Sequence, residues 1–352
     1  MEQSEVFPAL GAIPVGKGPE GIAVDGEARR GYVACARSNT VAVFDLDTNS
    51  IITQIPVGKE PIGLVYDKQS GRVFTTDARQ DTVSVVDVHR LETIKQIPVG
   101  SYPAGAGVYE QRRKVYCGNT GEGTVSVIDA DTLEVTATVQ AKLAAGSLCA
   151  DPVRDHVYCA NFGDASVTLI DGKTDQPIGE IAVDYAPCKI VVDAPRGRAY
   201  VANSLVSTVS VIDLEKREVV DTLNVERAPV GIGLGPGGDR LYAGNRGAGK
   251  ISVFDTETRQ EWARVPVGTA PGDLAVDPIT RTIYVSDAGT STVSVFQDRL
   301  PGKPDVLPQE TTHPLVGKPL PEFRLPDMVD GRERTSGEWR GKNYILNFFA
   351  SW

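Results

Sequence analysis

At 352 residues the chain exceeds what a single hydrophobic core usually organises, so two domains or an internal repeat are expected. Apolar residues at 41% and charged residues at 23% are ordinary for a globular protein, while 36 glycines and 23 prolines promise many turns without low complexity. A net charge of −10 suits a nucleic-acid backbone poorly, no apolar run approaches the roughly 18–20 residues of a membrane helix, and the opening MEQSEVFPALGA has neither the basic nor the apolar region of a secretory leader.

The first element in chain order is an extended stretch, Val6–Pro14, running into an IPVG segment that ends at Gly16 and recurs at Gly58 and Gly100, each 42 residues on. An apolar strand then ends at Asp45, and its copies end at Asp87, Asp129, Asp171, Asp213, Asp255 and Gln297 on the same spacing. A strand aromatic recurs at Tyr32, Phe74, Tyr116, Tyr158, Tyr200, Tyr242 and Tyr284, and proline at Pro19, Pro61, Pro103, Pro187, Pro229 and Pro271, with Ala145 in the remaining slot. A fixed period of this length marks a stacked supersecondary unit.

Each unit reads as four short strands rich in Val, Ile, Thr and Tyr, separated by Gly, Pro, Asp and Asn. In the second unit these are Gly63–Tyr66, Arg72–Thr76, Thr82–Val86 and Thr93–Pro98. No window shows a 3.6-residue apolar period, so helices are nearly absent. Strands such as Val83–Val86 are apolar on both faces, as a sheet packed between two neighbours requires. The pattern predicts an all-β, seven-bladed β-propeller of four-stranded blades over residues 1–297. The seventh unit holds only three strands, near Asp273, Tyr284 and Val293–Phe296, and Val6–Pro14 is expected to supply its fourth.

Tyr116-Cys-Gly-Asn119, Tyr158-Cys-Ala-Asn161, Tyr200-Val-Ala-Asn203 and Tyr242-Ala-Gly-Asn245, with the Val-Gly-x-x-Pro-x-Gly loops, resemble YVTN-type β-propeller repeats over residues 6–297. That family implies the fold and leaves function open, since it spans binding modules, surface proteins and relatives of cofactor-bearing enzymes.

Composition shifts at Asp298, and the proline-rich stretch 298–313 reads as a stiff, solvated linker. In residues 314–352, Phe323–Leu325 and Glu333–Thr335 flank Asp330-Gly331 as a hairpin, and Arg340-Gly-Lys342 precedes an apolar strand, Tyr344–Phe349. The segment resembles the opening of a thioredoxin-like domain of the redoxin and peroxiredoxin type, an incomplete α/β fragment. In those proteins the active-site cysteine follows the tryptophan that corresponds to Trp352, the last residue here. The resemblance implies a thiol–disulfide or peroxide-reducing parent, with Ile345, Leu346 and Phe348 exposed in the isolated chain.

Five dispersed cysteines, Cys35, Cys117, Cys149, Cys159 and Cys188, form no Cys-x-x-Cys and read mainly as buried thiols. Cys149 and Cys159 lie on neighbouring strands, where a bridge is possible. Cys188, beside Lys189 in a loop, is the thiol whose pKa a nearby cation could lower. The strand-final Asp series reads as turn chemistry, and Gly233-Leu-Gly235-Pro-Gly-Gly238 as a glycine-rich hairpin, because no helix follows it. His89, His156 and His313 have no ligand-spaced neighbours, so neither a metal site nor a cofactor is expected.

What remains is a loop face around the axis. Candidate binding residues there are Arg37, Arg79, Asn119, Phe162, Tyr185, Cys188, Lys189, Asn203, Arg227, Arg246 and Asp287. Blades four and five depart from the pattern, with Ala145 and Ser147 replacing Pro and Gly, and Lys189 replacing Gly. The reading is a monomeric binding or scaffold propeller fused to a thiol oxidoreductase. Its partner would be a protein or a thiol substrate protein, and both resemblances point to the periplasm or cell envelope. The alternatives are a stand-alone interaction protein with a remnant tail, or a propeller holding a small molecule or single-stranded nucleic acid.

Overall fold

β-Branched and aromatic residues fill each short strand, and Gly, Asn or Asp occupy the turns between them, so the chain folds as successive antiparallel meanders. The computed structural model describes residues 6–300 and two short strands further on, Arg324–Pro326 and Glu333–Thr335. The chain divides into two compact units, Met1–Val306 and Leu307–Trp352.

The first unit is a ring of seven four-stranded sheets. Blade 1 runs outward through Pro19–Asp25, Arg30–Cys35, Thr40–Asp45 and Ser50–Pro56, and blades 2 to 6 repeat that order. Innermost strands of adjacent blades pack side by side around the axis. Among the described residues, the helical elements between the first and last blade strands are three single 3-10 turns, the third being Pro236–Gly238 inside the glycine-rich hairpin.

Blade 7 closes the ring as the repeat count requires. Its inner strands Pro271–Val276, Thr282–Asp287 and Thr292–Gln297 are completed by Ala9–Pro14, which pairs antiparallel with Thr292–Gln297. Ile13 is fully buried on that strand, in the slot filled by Ile55, Ile97 and Val139 in blades 1 to 3. The outer edge of blade 7 is therefore paired by the far end of the chain.

Third strands are sandwiched between neighbouring blades. Val41, Val43, Val85, Val125, Val127, Val209 and Val211 are essentially inaccessible, and each such burial contributes about 1.5–3 kcal/mol. All seven strand aromatics from Tyr32 to Tyr284 are buried beside them.

Polar cement repeats with the same period. Every strand-final Asp from Asp45 to Asp255 accepts the backbone N–H groups two and three residues on, as Asp129 does from Asp131 and Thr132 at 2.9 and 2.7 Å. These are turn carboxylates, as the spacing predicts. Between blades, a cation at the start of the second strand reaches a carbonyl in the next blade: Arg30 to Val88, Arg72 to Ala130, Lys114 to Gly172 and Arg198 to Thr256, at 2.8–3.0 Å.

Arg240 occupies the same slot in blade 6 and bonds Asp298 at 2.8 Å. Asp298 also accepts from Tyr242 and Arg281 and is buried. Composition places this residue in a solvated linker, but the structure ties it into the propeller, and Arg299 follows it by donating its N–H to the Val6 carbonyl at 3.0 Å.

In the second unit Arg324–Pro326 pairs antiparallel with Glu333–Thr335, the hairpin expected around Asp330-Gly331, shifted by one residue on its first arm. The expected strand Tyr344–Phe349 lies outside the described residues.

Candidate binding site at the axial mouth

One end of the ring is built from two loops per blade, and the chain fastens them together. In blade 4, the Phe162 and Gly163 N–H groups bond the Ala144 and Leu143 carbonyls, each at 3.1 Å. Arg37 with Lys17, Arg79 with Lys59, Gly121 with Ser101, Gly247 with Arg227 and Gly289 with Thr269 repeat this contact. The residue before each inner strand is left-handed: Gly18, Glu60, Tyr102, Ala144, Ala186, Ala228 and Ala270 have φ of 48–64°. This turn aims each loop inward and puts the two loop sets on one face, as the sequence predicts.

A cavity of about 250 Å³ opens on the axis at this end. Ile62, Leu64, Ala104, Ala106, Gly146 and Phe162 give it an apolar wall from blades 2 to 4, and Cys188 and Val230 continue that wall. The inner strands are drawn tight by glycine. A Cβ on Gly105 would lie 2.1 Å from the Gly146 carbonyl, and one on Gly231 would lie 2.4 Å from that of Gly272.

Two ion pairs bridge the opposite side, each skipping a blade. Lys189 of blade 5 donates to Asp273 of blade 7 at 2.6 Å, and Arg246 of blade 6 grips both Glu20 oxygens of blade 1 at 2.8 and 3.0 Å. Ser286 holds the Glu20 carbonyl at 2.5 Å.

The candidate residues divide on inspection. Phe162 and Lys189 line the cavity, and Arg246 reaches its edge through Glu20. Arg37 and Arg79 border an adjoining depression between blades 1 and 2, whose wall also includes Glu20. Arg79 pairs with Glu60 there. Tyr185 is exposed on the blade 5 loop, and Arg227 folds back onto the Gly247 carbonyl.

Asn119, Asn203 and Asp287 are fully buried, so they are not part of the open face. Each ends a second strand and turns its side chain into its own blade. Asn119 donates to Thr124 and Ser126, Asn203 to Thr208 and Ser210, and Asp287 accepts from Ser294.

Cys188 also departs from expectation. Its thiol sits among the carbonyls of Ala202, Pro229 and Val230, and burial pushes its pKa up to about 12 despite Lys189 beside it. Lys189 is committed to Asp273, and desolvation of the thiolate outweighs its pull. Cys149 and Cys159 are both free. Their register sets Leu148, not Cys149, against Cys159, so the two thiols belong to opposite faces of the sheet.

Sequence reading missed Glu20 and Asp273. Their signal was present: in the slot of Gly21, Gly63 and Gly105, only Ser147, Lys189 and Asp273 depart from glycine, and two of these carry opposite charges. It also missed Leu143, Leu205, Tyr102 and Val206, which with the expected Phe162 and Tyr185 make an exposed apolar set on the loops of blades 3 to 5. Leu143, Phe162, Tyr185 and Leu205 are 66, 46, 67 and 75% exposed, and Tyr102 and Val206 join them. Among the described residues no group of His, Cys, Asp and Glu gathers in a form that could hold a metal ion.

The architecture defines a seven-bladed β-propeller module. The profile of a family described as Choice-of-anchor I domain matches residues 17–187, which span the first four blades and leave the tail outside the match. Among solved structures the chain is similar to hydrazine synthase of Kuenenia stuttgartiensis, with a TM-score of 0.74 at 18% identity, over 81% of this chain and 97% of that one. At that identity the likeness is one of fold. No curated protein matches the chain.

Proposed function

We propose that the chain is a binding module that seats a segment of a partner protein on the axial mouth of its loop face. The observation that carries this is the apolar cavity of about 250 Å³ flanked by exposed Leu143, Phe162 and Tyr185. Large apolar side chains grouped on a surface are a mark of an interaction site. The volume lies below the roughly 300–1,000 Å³ of pockets that enclose a whole small ligand, which favours an inserted side chain over a cofactor.

The test is selection of a random peptide library displayed on phage against the full chain, with counter-selection against a Leu143→Asp/Phe162→Asp variant. Both positions are exposed, so an unchanged thermal melt verifies that the variant folds. The expected result is enriched peptides whose binding drops at least about tenfold on the variant. No enrichment, or enrichment indifferent to the variant, would contradict the reading.

A second reading attaches to the tail. The motif order from Gly317 to Trp352, with its paired hairpin at Arg324–Pro326 and Glu333–Thr335, supports a propeller that carries a thioredoxin-like thiol oxidoreductase in the envelope. Sequencing the gene past codon 352 tests it. A cysteine next, with a second one three positions later, supports the fusion, and a stop codon removes it.

A further inference from the structure

The mouth is not uniform around its rim, and the asymmetry bears on what occupies it. The exposed apolar side chains Tyr102, Leu143, Phe162, Tyr185, Leu205 and Val206 all belong to loops of blades 3 to 5. Leu143 lies against Gly163, where it would meet an added Cβ at 2.7 Å, so it and the Phe162 loop form one surface.

The loops of blades 1 and 2 instead present Lys17, Arg37, Lys59 and Arg79, all exposed, in a chain whose net charge is −10. The two carboxylates among them are engaged: Glu60 pairs with Arg79, and Asp81 accepts the Tyr102 N–H at 2.8 Å. Lys17, Arg37 and Lys59 have no ion-pair partner among the described residues. Their depression adjoins the axial cavity, because Glu20 lines both. The Glu20 carboxylate is held by Arg246, which offsets the one negative charge at the junction. A positive arc in an acidic protein concentrates opposite charge at that edge of the mouth.

Resting on the binding reading above, we propose that the partner segment is amphipathic and acidic at one end. An aliphatic or aromatic side chain enters the axial cavity from the apolar loops of blades 3 to 5, and Asp or Glu residues lie over Lys17, Arg37 and Lys59 on blades 1 and 2. The net charge of −10 disfavours a polyanionic nucleic acid as the occupant.

The experiment takes peptides recovered by the selection above and synthesises the three most enriched with a fluorescent label. Anisotropy is then measured with the full chain at low and high salt. The expected peptides carry an apolar anchor with Asp or Glu on one side. Their affinity falls about tenfold or more on an Arg37→Glu/Lys59→Glu variant, and falls with added salt. Reversing the acidic residues of a peptide to Lys restores binding to that variant. Selected peptides that are neutral or basic, and indifferent to the charge reversal, would overturn the proposal while leaving the binding reading standing. Failure to recover any peptide that depends on Leu143 and Phe162 would overturn both.

Discussion

At the scale of single residues, one repeat slot shows how the same position serves stability through different chemistry. The last residue of the second strand is Asn in blades 3 to 6 and Asp in blades 2 and 7. Asn119 donates to two hydroxyls, whereas Asp77 must accept from Thr82 and Ser84 through one oxygen, while its Oδ1 is buried with no hydrogen-bond partner. Burial raises both Asp77 and Asp287 from 3.8 to about 6. The folded chain then holds these protons more tightly than the unfolded chain, so stability falls as pH rises from about 4 to 6 and the full penalty remains at neutral pH. Asp77→Asn should therefore stabilise the protein at pH 7 by about 1–3 kcal/mol and flatten that slope, read by urea denaturation across pH. A loss of stability at pH 7 would refute this account. The turn carboxylates have the opposite sign. Backbone N–H donors hold Asp45, Asp129, Asp171 and Asp213 below 3.8, so their contribution is complete above that value and is lost as pH falls further. Asp129→Ala, which removes two such bonds, should cost on the order of 1 kcal/mol in the same assay. The turn role was legible in the sequence because Asp-x-Asp-Thr spells it locally. The inward turn of Asn119, Asn203 and Asp287 was not, because a strand-final residue faces the loop or the blade according to a pleat that the repeat alone does not phase.

At the scale of elements, the ring depends on a strand that joins residues almost 300 positions apart. Ala9–Pro14 buries Ile13 and satisfies the edge of Thr292–Gln297. Ile13→Ala should cost about 2–5 kcal/mol, close to the penalty at a fully buried core position, although it lies at the terminus. Removing residues 1–14 should go further and expose the Thr292–Gln297 edge, so light scattering during a thermal ramp should show earlier aggregation. A deletion variant with an unchanged melting temperature and no scattering would show that closure is dispensable. Closure was readable because counting strands left one unit short and one element unassigned. Where the propeller stops was less readable. Asp298 opens a proline-rich stretch by composition, yet Arg240, Tyr242 and Arg281 converge on it, a three-way contact with no local signature.

At the scale of the whole molecule, seven near-identical blades produce an unequal mouth, and the inequality carries the function proposed here. Lys189 with Asp273 and Arg246 with Glu20 tie blades that are not neighbours, bracing the opening on the side away from the apolar wall. A double-mutant cycle of Lys189→Met and Asp273→Asn should give a coupling of about 1 kcal/mol, since both groups are partly shielded from solvent. Zero coupling would mean that the bridge does not brace the ring. Such pairs are hidden from a linear reading and emerge only when one slot is compared across all blades.

The most direct measurement is hydrogen exchange of the full chain with and without a selected peptide bound. The account predicts added protection in the loops around Leu143, Phe162 and Lys189, and little change in the outer strands. Protection concentrated on outer strands such as Ser50–Pro56 or Glu134–Gln140, with the loops unchanged, would contradict it.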